Sequence, residues 1–243
     1  IFFFFIIFIC AVAASWDGTP SVRPGPVLVL TLDGPVPELA ADDPLAKAFG
    51  GEAAFDLRDL TVGLGKAAAD GRIAAVWVQV QSAGGSWATL QEIRNALMEF
   101  KESGKPVYAS SDDYSMDEAA YFVASAADSV FAGPQSFFEL NGFYLAAEFY
   151  QRLLEKLAVA PQIVRVGRYK SAVEPFERAD LSPESEGQLS SLLQSWNEVF
   201  MARVAETGRM AAADLQRAAQ DSAMISTRAA HRAGLIDGLL YRD

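Results

Sequence analysis

Short apolar runs rich in β-branched residues alternate with helix-patterned stretches through the first half of the globular sequence. This alternation limits the fold more than any other feature. Val27 to Leu32 reads as a strand ending at the turn Asp33-Gly34, and a helix-spaced stretch follows from Asp56 to Ala69, weakened by Gly63 and Gly65. Ile73 to Val80 is a second strand, Gly84-Gly85 a turn, and Trp87 to Ser103 a helix. Lys105-Pro106 opens a third strand, a helix is expected around Asp117 to Ala127, and a fourth strand runs from Ser129 to Gly133. Strands separated by helices of about 10–15 residues cannot be joined by hairpins, so they build βαβ units and a mostly parallel sheet.

Beyond this repeat the pattern changes. Leu140 to Phe143 reads as a short strand, Ala146 to Ala158 as an amphipathic helix and Gln162 to Val166 as a further strand. From Ser182-Pro183 onward the chain reads as helical, with helices to about Thr207, near Ala211 to Ala219 and near Thr227 to Ala233. No phosphate-binding loop is present, and Gly63-Leu64-Gly65 lacks the third glycine and the preceding strand of a dinucleotide fingerprint.

The first fourteen residues, IFFFFIIFICAVAA, carry no charge. They span roughly 21 Å as a helix, short of the ~30 Å hydrocarbon core, so 1–15 is expected to be part of a transmembrane anchor or a signal remnant. Residues 16–26, with three prolines in the stretch from Ser15 to Pro26, read as a linker, and 27–243 as one α/β domain. An anchor or signal implies an inner-membrane location with the globular part on the extracytoplasmic, periplasmic side.

Composition removes several function classes. A net charge of −11 makes the chain a poor nucleic-acid ligand, because phosphate binding needs concentrated cations. With one cysteine, Cys10, an internal disulfide and a cysteine-based zinc site are excluded. With one histidine, His231, which reads as a surface residue of the last helix, a histidine metal cluster is excluded as well. No cofactor is implied.

One basic stretch stands out in this acidic chain: Arg165 to Ser182, RVGRYKSAVEPFERADLS. Lys170 follows an expected strand and a glycine and is flanked by Tyr169, Ala172 and Val173. It reads either as an ordinary surface lysine or as a general base. A free lysine of pKa ~10.4 is about one part in a thousand neutral near pH 7.4, so a base requires burial or neighbouring cations to disfavour its charge. Arginine cannot substitute, since it does not deprotonate.

The stretch Gly167 to Arg178, GRYKSAVEPFER, resembles the lysine motif of the signal peptide peptidase family, of the bacterial protease IV type. Val29-Leu30-Thr31-Leu32-Asp33-Gly34 is similar to that family's first strand, and Ser82-Ala83-Gly84-Gly85 to its Gly-Gly turn. Tyr121 to Asp128 is similar to its aromatic-pair segment, and Ala233 to Gly238 to its closing segment. The resemblance covers about 27–240. It implies a crotonase-like or Clp-like superhelical domain of βαβ units with C-terminal helices, and a Ser-Lys dyad in which lysine takes the proton of an attacking serine. It also implies peptide substrates, signal peptides among them, and assembly into homo-oligomeric rings.

Here the sequence departs from the short members of the family. Those carry Ala-Ser-Gly-Gly before the aromatic pair, whereas this chain has Asp117-Glu118-Ala119-Ala120, with Glu118 at the place of the nucleophile. Ser115 and Ser171 read as turn or surface serines. The pattern resembles the N-terminal half of the long tandem form, which bears the lysine while the second half bears the serine. On this resemblance Lys170 is the catalytic residue of the chain, its partner lies in a serine-bearing second half, and the 243 residues alone are inactive. Gly84-Gly85 reads as a plain strand-to-helix turn or as a vestige of an oxyanion turn. The aromatics Phe137, Phe138, Phe143, Tyr144, Phe149 and Tyr150 are expected to pack in a core or interface in preference to lining a peptide groove. The alternatives are a non-catalytic scaffold unit of the assembly and a crotonase-type acyl-CoA enzyme.

Overall fold

The computed structural model describes residues 25–40, 55–221 and 224–241. The apolar N-terminal segment 1–15 and most of the linker 16–26 lie outside the described residues. Five strands form the main sheet: β1 (Val27–Pro35), β2 (Ala75–Gly84), β3 (Val107–Ser111), β5 (Ser129–Ala132) and β8 (Gly238–Leu239). They lie in the order β1-β2-β3-β5-β8, and every pairing is parallel. The crossovers are α1 (Leu57–Ala69), α2 (Trp87–Lys101) and α3 (Glu118–Ala124). The βαβ sheet expected from the alternation is therefore present, and it extends to a fifth strand contributed by the end of the chain.

Each crossover helix starts at a side-chain cap that satisfies a free backbone N–H. Asp56 Oδ1 accepts from Asp59 N at 2.7 Å, Ser86 Oγ from Thr89 N at 3.1 Å and Asp117 Oδ1 from Ala120 N at 2.8 Å. The helices cover one face of the sheet. Val76, Val78 and Val80 of β2, Val107 and Ala109 of β3 and Val130 of β5 point into that layer. They meet Leu60, Leu64, Ile93, Leu97, Phe100 and Phe122 in one core. Alternate residues face the other side, where the Trp77 ring packs 5.8 Å from Tyr108 and 6.1 Å from Phe131.

Arg94 is buried at the back of this core. Its guanidinium donates to Phe122 O, Ser125 Oγ and Arg203 O, tying α2 to α3 and to the long C-terminal helix. Tyr121 Oη donates to Leu235 O at 2.7 Å, and Asp237 Oδ2 accepts from Val130 N at 2.7 Å. These polar ties fasten the end of the chain to the sheet and position β8.

A second, three-stranded sheet joins β4 (Ser115–Met116), β6 (Phe137–Glu139) and β7 (Met224–Ser226), with β4 parallel and β7 antiparallel to β6. The expected strand at Leu140 to Phe143 is displaced: the strand is β6, ending at Glu139, because its pairing partners Ser115 and Met116 stand opposite Phe137 and Phe138. The helix expected over 146–158 shortens to α4 (Gln151–Lys156), none of whose residues is buried. Gln162 to Val166 is not a strand. Val164 is 96% exposed and Val166 85%, and among the described residues no strand edge pairs with this segment to complete a ladder. α5 (Glu174–Glu177), α6 (Pro183–Ala205), α7 (Ala212–Asp221) and α8 (Thr227–Arg232) complete the described chain. Among the described residues no helix is long and apolar enough to cross a membrane.

Candidate active site

Residues 141–178 leave the core as an arm. Its root is held in two ways. Phe143 packs edge-on to Trp87 at 4.8 Å and to Phe200 at 5.8 Å, within a cluster that includes Trp196 and Phe122. Glu118 Oε1 accepts the main-chain N–H of Asn141 at 2.5 Å and of Gly142 at 2.6 Å. Farther out the arm folds on itself: Tyr150 N donates to Pro175 O at 2.6 Å, and the Tyr150 ring stacks on Phe176 at 5.9 Å.

The arm is apolar without being buried. Tyr144, Leu145, Leu153, Leu157, Val164 and Val166 are all exposed. The aromatic group expected as one cluster is divided accordingly: Phe138 is in the core, Phe143 joins the root cluster, and Tyr144 is 83% exposed.

Lys170 sits on this arm, two residues before a turn that leads into α5. The chain reaches it through Gly167, whose φ of +102° is a backbone conformation that glycine adopts without strain. The side chain is exposed, and among the described residues its Nζ has no hydrogen bond or ion pair. A groove of about 800 Å³ runs beside it from Tyr169 along α6, over Gly187, Ser191 and Leu192.

Glu174, four residues on, is buried. It accepts from Ser182 Oγ at 2.5 Å and from Ser182 N at 3.2 Å, and Arg165 approaches its carboxylate at 3.8 Å. The Ser182 hydroxyl bond is the main influence holding this carboxyl below the usual carboxylate range.

Glu118 occupies N1 of α3 and is 8% exposed. Burial pushes its carboxyl above the usual range, and the N–H groups of Gly142 and Asn141 only partly oppose this. Both of those N–H groups point at one oxygen, so the carboxylate serves as the acceptor that closes the arm root. Among the described residues no histidine or lysine hydrogen-bonds to it, as a nucleophile would need.

Ser115 belongs to β4, paired with Phe137, and the carbonyl of Ser171 accepts from Glu174 N at 2.9 Å. Neither hydroxyl is bonded to Lys170. Gly84-Gly85 forms the strand-to-helix turn between β2 and α2, and His231 is exposed on α8. Among the described residues no group of three or more His, Cys, Asp or Glu side chains is arranged to hold a metal ion. The structural parts that Glu118 and Glu174 play have no signal in the sequence alone. The Glu-x-x-x-x-x-x-x-Ser spacing from 174 to 182 was visible, but only folding shows that the two ends meet.

The sequence profile of Peptidase family S49 matches residues 99–243. Over 100 residues the chain is 44% identical to Protease 4 of Salmonella typhi, a match covering 41% of this chain and 16% of that protein. Over 174 residues it is 33% identical to the chloroplastic serine protease SPPA of Arabidopsis thaliana, covering 72% of this chain and 24% of that one. The matches thus span a quarter or less of these relatives. Among solved structures, a ClpP1 mutant from Listeria monocytogenes superposes with a TM-score of 0.51 at 11% identity, over 88% of this chain and 92% of that one. That likeness places the fold in the Clp-like, crotonase-like class.

Proposed function

Since this chain belongs to peptidase family S49, we propose that it is the lysine-bearing unit of a serine endopeptidase whose nucleophile is supplied by a second, serine-bearing unit. One observation carries the reading. Lys170 lies in the matched region, exposed and, among the described residues, without a partner, on an arm whose apolar side chains are left exposed by the described residues.

Docking that arm on a second unit would bury the apolar surface and remove the ammonium from water, which disfavours its charged form. Neutral Nζ then accepts the proton of the partner's serine as its Oγ attacks the peptide carbonyl carbon. The Nζ–H returns that proton to the departing amine, and water hydrolyses the acyl-enzyme. Main-chain N–H groups beside the serine would hold the oxyanion, so Gly84-Gly85 here has no part in that step.

The similarity to Protease 4 and to a serine protease supports peptidase chemistry over the acyl-CoA reading. Peptides released at a membrane, cleaved signal peptides among them, are the proposed substrates. Assembly as a homo-oligomer and an anchor in residues 1–15, with the globular part extracytoplasmic, belong to the same proposal.

The test is Lys170→Ala in the full-length protein. Peptide hydrolysis is expected to fall by about three or more orders of magnitude while assembly, followed by sedimentation, is unchanged. Hydrolysis at the wild-type rate would make the unit a scaffold.

A further inference from the structure

The loop that carries Lys170 has no regular structure of its own, yet both of its ends converge on one carboxylate. Arg165 precedes the lysine and Glu174 follows it. Arg165 Nη1 lies 3.8 Å from Glu174 Oε1, and the same guanidinium reaches Glu177 at 3.7 Å.

Glu174 is 1% exposed and is the only buried residue of the single-turn α5. Its two oxygens take the hydroxyl of Ser182 at 2.5 Å and the N–H of Ser182 at 3.2 Å. Ser182 is itself fixed as the N-cap of α6. Its Oγ accepts from Ser185 N at 3.2 Å and lies 3.0 Å from Ser185 Oγ. α6 in turn reaches the core through Phe200 and Val204. A continuous path therefore runs from the core through α6, Ser182 and Glu174 to the backbone on both sides of Lys170.

Such a path has a chemical use. A base must meet its proton within hydrogen-bond reach, and a misplacement of about 1 Å costs on the order of a hundredfold in rate. A long lysine side chain on an unanchored exposed loop would sample many positions.

We propose that Glu174 is the positioning residue for Lys170: it closes the loop 165–174 and fastens it to the first turn of α6, so that the lysine is presented to its serine at a set place. This rests on the reading of Lys170 as the general base.

The experiment compares Glu174→Ala, Glu174→Gln, Lys170→Ala and the Lys170→Ala/Glu174→Gln pair in the full-length protein. It measures kcat and KM on a fluorogenic peptide, with kcat expressed per serine titrated by a fluorophosphonate in the two variants that keep Lys170, and per folded protein in the two that lack it, where the unactivated serine is not labelled. Glu174→Ala is expected to lower kcat per titrated site by about 10- to 100-fold with KM within about twofold. Glu174→Gln keeps one acceptor oxygen but loses the charge facing Arg165, and is expected to lose about 3- to 10-fold.

Glu174→Gln is expected to cost nothing further once Lys170 is gone. If Glu174→Ala does not fold, Glu174→Gln alone decides. Wild-type kcat per titrated site in Glu174→Gln, or a loss that is the same with and without Lys170, overturns the proposal. Wild-type hydrolysis in Lys170→Ala overturns instead the general-base reading beneath it.

Discussion

Glu118 and Glu174 are both buried carboxylates, and their surroundings push them in opposite directions. Burial raises Glu118 above the ordinary carboxylate range, so the folded chain holds its proton more tightly than the unfolded one. Its contribution to stability is present at low pH and is lost as pH rises through the raised pKa. The Ser182 hydroxyl lowers Glu174, so its contribution is present above the ordinary carboxylate pKa and is lost as pH falls through the depressed one. Glu118→Gln keeps an acceptor oxygen for Asn141 and Gly142 N–H without a buried charge. It is therefore expected to raise the urea midpoint at pH 8 and to change it little at pH 4. Glu118→Ala leaves both N–H groups without their acceptor and is expected to cost about 1–3 kcal/mol at either pH. A lower midpoint for Glu118→Gln than for wild type at pH 8 would show that the negative charge itself stabilises the arm root.

At the scale of elements, the edge of the sheet depends on a glycine that the sequence offers only as part of a turn. A Cβ on Gly84 would lie 2.9 Å from Pro35 N and 3.1 Å from Gly34 C, both backbone atoms of β1 that no rotamer change can move away. β1 and β2 are paired there, Gly34 with Ala83 and Pro35 with Gly84, beyond a register shift at Leu32/Asp33. Gly84→Ala is thus expected to push the end of β1 outward and to cost about 1–3 kcal/mol, read by thermal unfolding. Amide exchange in Asp33 and Gly34 is expected to accelerate, while exchange in β3 is unchanged. The helix starts, by contrast, are legible: helical spacing opens at Asp56 and near Asp117, and Ser182-Pro183 marks a start by its cap, a local event. The strand expected at 162–166 failed for the opposite reason. β-branched residues identify a segment able to be a strand, but an edge must be within reach for it to become one.

For the whole molecule, the contrast is between a well-filled α/β core and an arm that has none. Tyr144, Leu145, Leu153, Leu157, Val164 and Val166 are exposed along one stretch of chain, more than isolated surface residues require. If that surface joins units, Leu157→Asp together with Val164→Asp is expected to shift the full-length protein to smaller species in sedimentation. Its thermal unfolding is expected to stay within about 0.5 kcal/mol of wild type, since neither side chain supports the core. An unchanged sedimentation profile would remove the arm from the assembly interface.

The sequence by itself determined the order of βαβ units and the approximate helix starts, because periodicity and caps are properties of neighbouring residues. It did not determine the small sheet of β4, β6 and β7, the fifth strand supplied by the chain's end, or the burial of Glu118 and Glu174. Each of those depends on groups far apart in the chain meeting: Ser115 with Phe137, Phe131 with Gly238, Glu118 with Asn141 and Gly142. A carboxylate is costly to bury until its donors are in place, and only the tertiary structure puts them there.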